Sequence, residues 1–264
     1  MRRIRPLPTT RRGRATAAVA AAVVAGTALF ATGAATADNS VPRSDKEIPN
    51  LTKVEDQIEA YYGDTVINGE HYASPNSPYA QQVEGIEAKA KTYLKQAVRH
   101  DHGKKPAIVL DVDDTTLLTY NYELEVGFAY TTASSDTYIR TKTMPAVFGM
   151  TRLVDWAAQQ GVTVFYVTGR PEAQRAPSAA NLAAAGYKPA ADASHFFLKN
   201  PTSPPAYLPC GATCTTIQYK SGTRKHIESL GYDVVANFGD QYSDLSGGYA
   251  DKGFKLPNPM YYIP

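Results

Sequence analysis

The stretch AIVLDVDDTTL, residues 107–117, sets four apolar residues directly ahead of three aspartates. Ala107-Ile108-Val109-Leu110 shows no alternation of polar and apolar positions, the pattern of a strand buried on both faces of a parallel sheet. Carboxylates as close as Asp111, Asp113 and Asp114 repel one another and push each other's pKa upward unless a cation or solvent relieves them. A strand that runs into such a cluster ends either at a metal site or in a solvated turn.

Beyond it, short apolar runs alternate with longer helical ones. Strands are expected over 107–112, 162–168, 195–198 and 233–238, with another near 254–256. Helical patterns cover 145–160, 172–185 and 221–230, each ending near a glycine, Gly161, Gly186 or Gly231. Strands alternating with helices predict βαβ units, hence an α/β fold with a Rossmann-like parallel sheet flanked by helices. Two further helices are predicted ahead of the sheet, over roughly 51–62 and from Ser77-Pro78 to Arg99.

In sheets of this kind ligands bind beyond the carboxyl ends of the strands. Polar clusters follow the expected ends: Thr168-Gly169-Arg170 after one strand and Gly239-Asp240-Gln241-Tyr242-Ser243-Asp244 after another, with Lys220-Ser221 opening the helix between. Each alone is an ordinary turn or surface residue. Their joint order, Asp111-Val112-Asp113-Asp114-Thr115, Thr168, Lys220, Gly239-Asp240…Asp244, resembles the haloacid dehalogenase-like hydrolases. Tyr219-Lys220-Ser221, Gly239 to Leu245 and Phe254 to Tyr262 resemble the acid phosphatase branch in particular, subfamily IIIB, with its secreted bacterial and plant acid phosphatases and vegetative storage proteins.

The resemblance implies phosphomonoester hydrolysis through an aspartyl-phosphate. Asp111 is then the nucleophile, and Asp113, two residues on and on the same side of the strand end, is the general acid and base. Lys220 holds Asp111 and the phosphate, while the Thr168 hydroxyl and nearby backbone N–H groups, Gly169 among them, bind phosphoryl oxygens. Two aspartates and a dianionic ester need a hard cation, and magnesium suits an all-oxygen shell. The ligands implied by the resemblance are Asp111, the Asp113 backbone carbonyl, Asp240 and Asp244. Asp114 is expected to be structural or solvated. Arg170 either reaches the substrate or makes a plain salt bridge.

Aromatic residues between the first two strands, Tyr120, Tyr122, Phe128, Tyr130 and Tyr138, either form a small lid over the leaving group or pack on the preceding helices. A large cap domain has no room. The five histidines form no arginine-histidine nucleophile motif.

Residues 1–37 read as a secretory signal peptide. Six arginines and no acid lie within 2–14, a run rich in Ala and Val follows, and Ala35-Thr36-Ala37 is a small-residue cleavage pattern. A membrane anchor is the competing reading, and Arg11-Arg12 leaves both Sec and twin-arginine export open. Residues 38–50 are a lead-in, and 51–264 a single domain with helices in 51–100 and a catalytic core in 105–264. Cleavage after Ala37 removes six of 27 basic residues, so 21 face 25 acidic ones and the net charge goes from +2 to −4. Such a protein has no general attraction to nucleic acid or anionic lipid, and its expected partner is a small phosphomonoester. In an oxidising compartment Cys210 and Cys214 are expected to pair, closing a short loop that fixes local shape.

Two other readings use the same residues. Transfer of the phosphoryl group to an alcohol or nucleoside shares the aspartyl-phosphate. A non-catalytic storage or binding protein would be marked by loss of the nucleophile, and Asp111 is present.

Overall fold

Two helices come first in the chain, and the second of them packs against one face of the central sheet. In the computed structural model, which describes residues 50–99, 103–188 and 191–264, helix α1 (Leu51–Tyr62) leads to a hairpin, β1 (Thr65–Ile67) and β2 (Glu70–Tyr72), and then to α2 (Pro78–Ala97). The hairpin falls where no element was expected, although Asn68-Gly69 is a strong signal for one; both residues are left-handed, with φ of 54° and 83°, as a two-residue turn requires. Ser77 caps α2 by accepting the Ala80 N–H at 3.1 Å, with Pro78 in the first turn. Residues Glu55–Pro264 form one compact unit. The expected signal peptide, the lead-in up to residue 49, and His100 and His102 lie outside the described residues.

The sheet comprises β3 (Lys105–Leu110), β4 (Thr163–Pro171), β5 (Phe196–Lys199), β6 (Tyr232–Gly239) and β7 (Gly253–Lys255). Its order is β5-β4-β3-β6-β7 and every pairing is parallel. The helices are α3 (Tyr120–Glu125), α4 (Thr132–Thr141), α5 (Met150–Gln159), α6 (Arg175–Ala184), α7 (Thr216–Ser229) and the single turn α8 (Tyr242–Leu245). The α/β class and the five expected strands are present. Alternate strand residues enter two separate cores: Ala107, Val109, Phe165 and Val234 pack with Tyr219 and Ile227 of α7, while Ile108, Leu110, Val164 and Phe238 pack with Val83 and Leu94 of α2. Burial on both faces is what the unbroken apolar runs require. From β3 the chain builds outward to β4 and β5, then returns to place β6 on the other side. The strand order therefore reverses at β3, where a crevice opens at the carboxyl ends.

Several boundaries differ from those expected of the sequence, three of them for a clear local reason. Strand β4 continues past Thr168 to Pro171 through a register irregularity, so Thr168-Gly169-Arg170 lies within a bulge rather than a strand-to-helix turn. Helix α5 begins at Met150, not Pro145, because Ala146 bridges to Leu117 instead. Helix α7 begins at Thr216, not Ser221: Thr215 and Gln218 make a capping box, with the Gln218 N–H on Thr215 Oγ1 at 3.2 Å and the Thr215 N–H on Gln218 Oε1 at 3.0 Å. Lys220 thus sits inside the helix, not at its mouth.

The aromatic segment packs mainly on the preceding elements and the core, with two of its tyrosines lining the crevice. Tyr120 stacks on Tyr62 with centroids 4.5 Å apart and donates to Asp64 at 2.9 Å. Tyr138 is buried and Phe128 packs on the core. Tyr122 and Tyr130 face the crevice.

Candidate active site

Asp111 is the first residue past β3, and its N–H continues the ladder to Phe238 O at 3.0 Å. Its side chain is 8% exposed and accepts a hydrogen bond from Lys220 Nζ. Lys220 comes from the second turn of α7 and also donates to Asp244 Oδ1 at 2.6 Å. Asp240 follows directly on β6, and its Oδ2 accepts from Gln241 Nε2 and Asn258 Nδ2, each at 2.7 Å. Oxygens of Asp111, Asp240 and Asp244 all lie within 4.8 Å of one another, and all three residues are buried.

Residues 111–114 send their carboxylates in different directions. Asp114 is fully buried and left-handed, with φ of 52°. It accepts from Thr119 N at 3.0 Å, Thr119 Oγ1 at 2.5 Å and Tyr261 OH at 2.7 Å. Of the two roles expected for Asp114 it therefore has the structural one, tying the loop to the carboxyl-terminal segment. Asp113 faces the crevice and pairs with Arg170, whose Nη2 donates to Oδ1 at 2.6 Å and Nε to Oδ2 at 3.0 Å. Thr168 Oγ1 accepts the Arg170 backbone N–H at 3.2 Å. Gly169 is exposed and lines the crevice beside Arg170.

Several supporting residues were given no role by the sequence. Asn258 and Gln241 orient Asp240. Arg224, buried, donates to the carbonyls of Asp244 (2.6 Å), Ser246 (2.6 Å) and Gly248 (2.7 Å), and Asn237 Nδ2 donates to Asp244 O at 2.9 Å. Gln241 and Asn258 lie within the stretches that carry the family resemblance, and Arg224 lies four residues after Lys220 on the same helix face. Gly239 is required for close approach, because a Cβ there would lie 2.3 Å from Asp244 Cβ.

Burial pushes the Asp111 carboxyl well up, Lys220 pulls it down, and Asp244, Asp240 and Asp113 push it up again. Burial alone would lower Lys220, but Asp111 and Asp244 outweigh it and hold the ammonium protonated. Burial, with Asp114 and Asp244, pushes Asp240 to about 7, against the Asn258 and Gln241 hydrogen bonds. Three buried carboxylates around one lysine leave an excess of negative charge, and their donors are all hard oxygens. This set fits a divalent oxygen-seeking cation.

Glu87 and Glu123, outside that triad, contribute to an expected pH dependence. Burial pushes Glu87 to about 7, against Arg152, and burial followed by Asp113 pushes Glu123 to about 7. Both start from 4.5. The folded state thus keeps protons that the unfolded chain releases, so this stabilisation is complete below about pH 4.5 and is lost as pH rises through about 7. The metal-free protein should melt at lower temperature at pH 8 than at pH 5, and Glu87→Gln should flatten that slope. Equal slopes in both proteins would refute the assignment.

The crevice encloses about 510 Å³. Asp111, Asp113, Lys220 and Arg170 line its polar end, while Tyr122, Tyr130 and Ile139 line its wall. The described histidines lie elsewhere: His71 pairs with Asp64 at 2.8 Å, His195 with Asp192 at 3.0 Å, and His226 stacks on Tyr207. Cys210 and Cys214 form a disulfide with Cα atoms 5.0 Å apart, just ahead of the α7 cap. Among the described residues no helix is long and apolar enough to cross a membrane.

Residues 25–264 match the family model described as HAD superfamily, subfamily IIIB (acid phosphatase). Acid phosphatase 1 of Solanum lycopersicum is 32% identical over 192 residues, covering 70% of this chain and 69% of the relative. The stem 28 kDa glycoprotein of Glycine max is 29% identical, covering 75% and 72%. Among solved structures, the class C acid phosphatase from Bacillus anthracis superposes with a TM-score of 0.61 at 22% identity, covering 80% of this chain and 86% of that one, a likeness of fold.

Proposed function

The chain belongs to the HAD superfamily, subfamily IIIB, the acid phosphatases, and we propose that it hydrolyses phosphomonoesters through an aspartyl-phosphate formed on Asp111. The observation that carries this reading is the buried Asp111 carboxylate, bonded to Lys220 at the sheet's switch point and opening onto the crevice. Asp111 attacks phosphorus, the bond to the ester oxygen breaks, and Asp113 supplies that oxygen with a proton. Asp113 then takes a proton from water as the water attacks the phosphoryl-aspartate, releasing phosphate and restoring Asp111. Lys220 orients Asp111 and offsets phosphoryl charge. Gly169 and the Thr168 hydroxyl, whose proton is not spent on Arg170, bind phosphoryl oxygens. Asp111, Asp240, Asp244 and the Asp113 carbonyl would hold magnesium, which when bound neutralises the carboxylates and polarises the phosphoryl group.

The test is phosphate release from a panel of monoesters by the purified protein, with magnesium and after EDTA. Release that EDTA abolishes and magnesium restores is expected; no release from any ester would sink the reading and favour a binding or storage role. Acceptor alcohols added to the same assay report any phosphoryl transfer. Asp113→Asn should lower turnover by about 10²- to 10⁴-fold while inorganic phosphate still binds.

Export is part of the proposal, with residues 1–37 as its signal. Protein recovered from the medium should begin at Asp38, which amino-terminal sequencing reads directly; an intact Met1 would contradict cleavage.

A further inference from the structure

Arg170 is the second cation of the site, and nearly all its donors are committed. Its side chain is 3% exposed against 29% for Asp113. Nη2 and Nε grip both oxygens of Asp113, Nη1 donates to Ser178 Oγ of α6 at 2.9 Å, and Nη2 also lies 3.2 Å from Met144 Sδ. Its backbone N–H is taken by Thr168. A planar fork held at its far side by Ser178 fixes both the place and the plane of the carboxylate it grips. Asp113 itself stands on the crevice wall, and no other described side chain hydrogen-bonds its carboxylate.

We propose that Arg170 is a positioning residue: it holds the Asp113 carboxylate facing the ester oxygen, with Ser178 bracing the guanidinium, and does not itself bind the phosphoryl group. This rests on the phosphatase reading of the same site. A misplaced Asp113 costs most where the departing oxygen most needs a proton. An alkyl leaving group needs one, whereas a nitrophenolate leaves with little help.

The experiment compares kcat/KM for glycerol phosphate and p-nitrophenyl phosphate, together with Ki for inorganic phosphate, in wild type, Arg170→Gln, Arg170→Lys and Ser178→Ala. The ratio kcat/KM reports only steps through departure of the leaving group, so hydrolysis of the phosphoryl-aspartate does not blur it. In Arg170→Gln, kcat/KM for the alkyl ester should fall by about 10²-fold and for the aryl ester by about threefold or less, with Ki within about threefold of wild type. Arg170→Lys, lacking the fork, should recover only part of the alkyl loss. Ser178→Ala should show the same pattern more weakly, and these two variants decide the matter if Arg170→Gln does not fold. Equal losses on both esters with Ki raised about tenfold or more would instead make Arg170 a phosphate ligand and overturn the proposal, as would no loss on either ester. Both outcomes leave the phosphatase reading intact, since wild type is active; a wild type inactive on both esters overturns both.

Discussion

Replacing Asp111 by Asn should abolish phosphate release, by at least about 10⁴-fold on any ester, because the amide retains the shape of the site but has no nucleophilic oxygen anion. The side chain is buried and bonded to Lys220, so no neighbouring carboxylate can take its place without moving: Asp244 is itself bonded to Lys220 and to the Gln241 N–H, and Asp113 is gripped by Arg170. The same substitution should raise the stability of the metal-free protein, since it removes one of three mutually repelling buried carboxylates. It should also reduce the stabilisation gained on adding magnesium. Rapid-quench mass spectrometry of wild type should find the phosphoryl group on the Asp111 peptide. Phosphate release in the variant close to that of wild type would end the assignment of the nucleophile.

Lys220→Met should act in the opposite direction on stability. The ammonium is bonded to both Asp111 and Asp244, and replacing it with an apolar chain of similar length leaves two buried carboxylates without that cation. Breaking a buried pair from one side costs about 3–5 kcal/mol, to be read from urea unfolding of the metal-free protein. Added magnesium should return part of that loss, because a divalent ion can neutralise the same oxygens. Turnover with magnesium should remain down by about 10²- to 10³-fold for want of the charge on the phosphoryl oxygens. A variant as stable as wild type without metal would mean that Lys220 does not neutralise the cluster. The contrast in sign between Asp111→Asn and Lys220→Met distinguishes electrostatic effects from general damage to the fold.

The sheet was legible because its signal is local. Ala107 to Leu110 reads as a doubly buried strand from four adjacent residues, and glycine after each helix marks an end that needs only its own neighbours. The start of α7 was legible too, in Thr215 and Gln218, but the apolar pattern of the later turns drew the boundary to Ser221; the capping box set the true start. Asp114 shows the limit of such reading. Nothing in DVDDTTL says that one of its acids is fully buried, held by Thr119 and by Tyr261, the latter 147 residues away in the chain.

The α/β architecture and the strand-end location of the site could be read from the chain alone, because apolar periodicity is a property of neighbouring residues, and the order of the residues that meet there followed from a family resemblance. How those residues are paired could not. Arg170 on Asp113, Asn258 on Asp240, and Arg224 on the turn that carries Asp244 join segments brought together by strand order and a bulge. Which donor faces which carboxylate depends on that three-dimensional placement, and periodicity along the chain carries no record of it.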